Sequence, residues 1–76
     1  MNVDRLRQAV NAQPFRPFQL RFGSGQFVQV PHPELIAIAP SGRYAYVCSR
    51  EQDQHIDVML IESIEYTQPE TGDNAA

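Results

Sequence analysis

Between residues 18 and 66 apolar side chains recur at alternate positions in short runs, and glycine, proline or polar clusters cut each run. This pattern constrains the chain most, because a period of two belongs to a strand with one buried face. Phe18, Leu20 and Phe22 alternate with Gln19 and Arg21. Gly23-Ser24-Gly25 then reads as a hairpin turn. Residues 26–30 answer it, with Val28 and Val30 on one face and Phe27 on the other. Pro31 and Pro33 flank His32 and break the ladder, since proline has no N–H to donate. Residues 35–39 are nearly all apolar and read as a strand buried on both sides. After the Pro40-Ser41-Gly42 turn, Tyr44, Tyr46 and Cys48 alternate with Ala45 and Val47. Residues 51–54 read as a polar turn, and Ile56, Val58 and Leu60 as one face of a further strand. Ile61, Ile64 and Tyr66 extend the pattern through a kink at Glu62-Ser63.

The N-terminal segment keeps a different period. Val3, Leu6 and Val10, with Ala9 beside them, form one helical stripe and predict a helix over residues 3–12. Asn2 suits the N-cap, and Asp4 lies where the helix dipole favours an anion. Pro14 ends the helix. Phe15, in the Pro14-Phe15-Arg16-Pro17-Phe18 connection, is expected to pin the helix to the strands. The chain has 76 residues, one domain's worth. A domain of this size buries only ~60% of the surface its unfolded chain exposes, so the core must be thin. The expected fold is mainly β: an N-terminal helix and about five short antiparallel strands over residues 2–66, closed into a small Sm/SH3-like barrel. An open antiparallel meander packed on the helix is the alternative α+β arrangement. Residues 67–76 read as a disordered tail.

Three landmarks occur in order: Gln13-Pro14-Phe15-Arg16-Pro17-Phe18, Pro31-His32-Pro33-Glu34 and Pro40-Ser41-Gly42-Arg43. Over residues 3–66 the chain thereby resembles a family of short bacterial proteins, a resemblance that implies a bacterial origin and no mechanism. The helix, the five strands and the kinked entry Ile61-Glu62-Ser63-Ile64 are also similar in layout to Sm-like RNA-binding proteins. That likeness implies a small barrel and an RNA ligand, but layout alone carries no function. The bacterial RNA chaperone of that family has a Lys-His pair before its last strand, where this chain has Met59-Leu60. The Asp and Asn of the Sm motif have no counterparts in residues 34–39, and Pro31 and Pro33 interrupt what would be a continuous bent strand. The family's RNA pocket is therefore not expected here.

The chemistry-bearing residues are few. Cys48 is the single cysteine, so neither an internal disulfide nor a cysteine-based zinc cluster is available. Sharing a face with two tyrosines, it is expected in the core. His32, His55, Cys48, Glu34 and Asp57 lack metal-ligand spacing, and no nucleophile motif or phosphate loop is complete. The expectation is a protein that is not an enzyme and holds no metal or cofactor.

Net charge is −3, but unevenly spread. All six arginines lie in residues 1–50, where Asp4 and Glu34 reduce them to +4; residues 51–76 carry −7. Cross-strand pairing would bring the two signs together. The function expected is a non-catalytic binding or assembly module, contacting a protein partner or a second copy through Phe15, Arg16 and Phe18. The alternative is nucleic-acid contact through Arg43, Tyr44, Tyr46 and Arg50, since aromatic residues flanked by arginine can stack bases. Residues 1–7 lack the apolar run of a secretory leader, and no stretch approaches the ~20 apolar residues that span a bilayer. A cytoplasmic location with no membrane partner is expected.

Overall fold

The computed structural model describes residues 1–67. The tail expected over residues 68–76 lies outside them. Thr67, the first residue of that expected tail, is tied down: its N–H donates to the Pro17 carbonyl at 3.1 Å.

Helix α1 (Val3–Asn11) starts as its sequence requires, with the Asn2 side chain accepting from the Asp4 N–H at 2.7 Å. It buries Leu6 and Ala9, while Val3 and Val10 pack partly against the core. The strands are β1 (Phe18–Phe22), β2 (Phe27–Val30), β3 (Ile36–Ile38), β4 (Tyr44–Cys48), β5 (Asp53–Asp57) and β6 (Ile61–Tyr66). They form two three-stranded antiparallel sheets, β2-β1-β6 and β3-β4-β5. The molecule is thus mainly β with one N-terminal helix. Among the described residues no ladder joins one sheet to the other.

The chain passes between the sheets twice, each time through a 3-10 turn. The first, Pro33–Leu35, is capped by the His32 ring nitrogen Nδ1, which accepts from the Glu34 N–H at 3.2 Å. The second, Val58–Leu60, is capped by Asp57, whose Oδ1 accepts from the Met59 N–H at 2.9 Å. This second turn corrects the expectation of one strand through Ile56, Val58 and Leu60. Val58 is buried, but Leu60 swings out to 64% exposure. The irregularity expected at Glu62-Ser63 is present as a register shift. Arg21 pairs with Ser63 and Phe22 with Ile61, so Glu62 is the extra residue of a bulge. Residues 35–39 are not buried on both sides: Ile36 is inside, Ala37 outside and Ile38 half-buried.

Leu6 and Ala9 from the helix meet Phe18, Leu20, Val30 and Ile61 from the first sheet and its corner with Ile36, Ala45, Val47 and Ile56 from the second. At Gly42 the β3–β4 turn packs closely against Val3 of the helix. The Gly42 φ is +76°, and a Cβ there would sit 3.1 Å from Val3 Cγ1. Both the left-handed backbone, at roughly 1–2 kcal/mol for an L-residue, and the crowding oppose any side chain. Gly42→Ala is expected to lower the urea midpoint by at least that equivalent, and an unchanged midpoint would contradict this packing.

Part of the split in charge is paired across strands at the surface. Arg21 Nε donates to Glu65 Oε2 at 2.7 Å and Arg21 Nη2 to Oε1 at 3.1 Å, while Gln19 Nε2 adds a bond to Oε1 at 2.8 Å. Arg43, the residue before β4, pairs more loosely with Asp57 of β5, at 3.4 and 3.5 Å. The Arg21 hydrogen bond first, then that from Gln19, holds the Glu65 carboxyl down from 4.5 to about 2. A depressed carboxyl stabilises the folded state above its ordinary value and loses that contribution as pH falls through the depressed one. Glu65→Gln should therefore be less stable than the natural chain at neutral pH. Its deficit should close as pH falls from about 4.5 to about 2. Chemical denaturation at several pH values measures this, and a deficit that does not vary with pH would refute the assignment.

Candidate functional site

The pleat of β4 decides which side chains reach solvent. Ala45 and Val47 point into the core, so Tyr44, Tyr46 and Cys48 point outward. This corrects the expectation that Cys48 is a core residue. Alternation separates two faces but does not say which is inside, and here the smaller side chains took the interior. On β5, Ile56 is buried, and Asp53 and His55 are exposed with Asp57 half-exposed beside them. The register sets Tyr44 opposite Asp57, Tyr46 opposite His55 and Cys48 opposite Asp53, with Ala37 of β3 on the far side of Tyr46.

Three rings gather on this face. Tyr44 and His55 stack with centroids 5.0 Å apart and planes at 28°, and Tyr46 meets His55 at 5.9 Å and 50°. The Arg43 guanidinium carbon lies 5.4 Å from the Tyr44 centroid, and its Nε is 3.4 Å from Asp57 Oδ1. The Met59 N–H first, and Arg43 after it, hold the Asp57 carboxyl below its ordinary range. Asp57 is thus an anion that caps the second 3-10 turn and fixes Arg43 beside the rings. Ala37 leaves a shallow depression of about 210 Å³ against Tyr44, Tyr46 and His55.

A larger cleft of about 540 Å³ adjoins this face. It opens between β2 and β5, each the outermost strand of its sheet. Phe27 and Val28 line one side, Gln54 and Ile56 the other, with His55 and Leu60 at its margin. Phe27 is 51% exposed. His55 belongs to both the cleft and the ring cluster, so the two form one continuous surface.

The structure therefore brings together Arg43, Tyr44 and Tyr46 of the residues singled out for nucleic acid. Arg50 is exposed in the turn after β4, and among the described residues no cation–π contact joins it to the rings. His55 was not expected as their partner. The signal was available: a hairpin turning at residues 49–52 sets position 46 opposite position 55. The Phe15, Arg16 and Phe18 group resolves differently. Phe18 is 1% exposed and belongs to the core, so it cannot serve as the contact expected of it. Phe15 is half-buried against it, with centroids 5.8 Å apart, in the anchoring role expected. The Arg16 guanidinium lies 4.1 Å over the Tyr66 ring, and its buried Nε has no hydrogen-bond partner.

Among the described residues no three of His, Cys, Asp or Glu cluster to hold a metal ion. Among the described residues no helix is long and apolar enough to cross a membrane. No protein-family model matches the chain, and no curated protein or solved structure matches it.

Proposed function

We propose that this chain is a non-catalytic binding module of the bacterial cytoplasm that takes a protein partner on the outer face of β4 and β5. The observation that carries this reading is the exposed cluster of Tyr44, Tyr46 and His55, whose rings contact each other rather than the core. Cross-strand ring pairs add only about 0.2–1 kcal/mol each to a sheet, whereas tyrosine is enriched at the energetic centres of protein interfaces. The adjoining cleft supports the same reading, because it offers apolar surface and two outer strand edges to an extended segment. The layout supports membership of the small-barrel class. The sequence of strands runs β1, β2, corner, β3, β4, β5, corner, β6 and returns to β1, with both corners made by short 3-10 turns.

A nucleic-acid reading draws on the same exposed tyrosines and on Arg43. It is less favoured because Asp53 and Asp57 share their face and would oppose a phosphate backbone. A photoreactive residue placed at position 46 in the host cell separates the two. Protein adducts that form from position 46 and not from the exposed helix position 8 support the proposal. Adducts that vanish on nuclease treatment, or no adduct at position 46, overturn it.

A further inference from the structure

We propose that the partner presents an arginine side chain to the half of this face built by Tyr46, His55 and Asp53. The inference rests on the protein-binding reading above and names the chemistry of the partner. The first half of the face shows what the arrangement does. Tyr44 and Asp57 stand directly opposite each other, and the chain's own Arg43 fills the position between them. Its guanidinium lies over the ring, with Nε and Nη2 at 3.4 and 3.5 Å from the two carboxylate oxygens.

The second half repeats the chemistry one step along the ladder. Tyr46 is opposite His55, and Asp53 is diagonal to Tyr46 on the same face. Diagonal cross-strand neighbours lie about 7–8 Å apart, within reach of long side chains. Cys48 stands across from Asp53, and Arg50, exposed in the turn between them, forms no ion pair with it among the described residues. Among the described residues Asp53 has no ion pair. Tyr46 is 49% exposed and borders the depression left by Ala37.

A planar guanidinium suits this half-site better than an ammonium. It stacks on an aromatic face and offers a fork of donors to a carboxylate, which a lysine head cannot do. The charge also selects: an aromatic platform beside an uncompensated carboxylate attracts a cation and repels a phosphate. Because the face is shallow, one arginine binds weakly, and the adjoining cleft supplies the rest of the contact.

The test is an amide chemical-shift titration of the full chain with three probes: a blocked Gly-Arg-Gly peptide, its lysine counterpart and a short oligouridylate. The arginine peptide should give saturable shifts confined to residues 44–48 and 53–57, with the lysine peptide several-fold weaker. Asp53→Asn and Tyr46→Leu, both at exposed positions that leave the core untouched, should each weaken binding by roughly tenfold, the order of one charge-assisted contact. Equal response to the two peptides, no saturable shift, or natural-chain affinity in Asp53→Asn would overturn the arginine assignment. Cross-linking of protein from position 46 would then leave the broader reading standing. Shifts of the same residues by oligouridylate alone would overturn both.

Discussion

Phe18→Ala is expected to destabilise the domain by about 3–5 kcal/mol, the usual cost of removing a buried aromatic side chain. Three features place Phe18 at the upper end of what one substitution can do here. Its ring is 1% exposed, it contacts Phe15 at 5.8 Å and it meets the edge of Tyr66 at 6.4 Å. In register it lies between Val30 of β2 and Tyr66 of β6, in the central strand of the first sheet. The cavity would therefore open where both flanking strands and the helix connection converge. At ~0.05–0.15 kcal/mol per residue, a chain of this length holds only about 4–11 kcal/mol of net stability. The variant should then unfold at far lower urea than the natural chain, or be largely unfolded without it. Circular dichroism during urea denaturation measures this. A loss below about 1 kcal/mol would be too small for a core aromatic residue and would refute the interior placement.

The same residue shows how far local patterning reaches. Phe18, Leu20 and Phe22 alternate with polar residues, and β1 lies where that alternation puts it, with Phe18 and Leu20 buried. The helix was equally legible, because its stripe, its Asn2 cap and Pro14 all agree. Legibility failed where a local rule has two solutions. On β4 the period marked two faces, and the expectation assigned the larger side chains to the interior. The chain instead faces Ala45 and Val47 inward and sends Tyr44, Tyr46 and Cys48 out. With the faces assigned the other way, Tyr44 and Tyr46 rank only as the alternative contact, behind Phe15, Arg16 and Phe18. Residues 56–60 failed for another reason. Their alternation fits a strand, but the Asp57 side chain accepts from the Met59 N–H and turns the backbone. An aspartate that bonds its own backbone two residues on is a recognised turn former, so the signal was present but outvoted by the apolar pattern. The cleft between β2 and β5 had no sequence signal. It depends on how two sheets meet at corners, which is a property of tertiary packing.

The face inversion bears on function as well as on fold. With Ala45 and Val47 inside, the second sheet contributes only small and β-branched side chains from β4 to the core. The helix must then supply apolar volume from the other direction, and Leu6, at 0% exposure, is its principal contribution. If the helix left, the inner face of the second sheet would be wetted and the outward face would lose the rigid support a binding surface requires.

Leu6→Ala isolates this dependence. Alanine is at least as good a helix former as leucine, so the substitution does not weaken the helix intrinsically. Any loss reports docking. The expected cost is about 2–5 kcal/mol, roughly half of the about 4–11 kcal/mol that a chain of this length holds. Nine residues make α1, shorter than the ~12–15 that an isolated helix needs in water. Once undocked it should therefore unwind rather than persist. Hydrogen exchange of the helix amides should speed up ahead of those in β1 and β4, and helical ellipticity should fall before the strand signal does. Gln8→Ala, exposed on the same helix, is the matched control and should leave both readouts within about 0.5 kcal/mol of the natural chain. If Leu6→Ala matched that control, the helix would contribute nothing to the core. The outer face of β4 and β5 would then have to be held by the sheets alone.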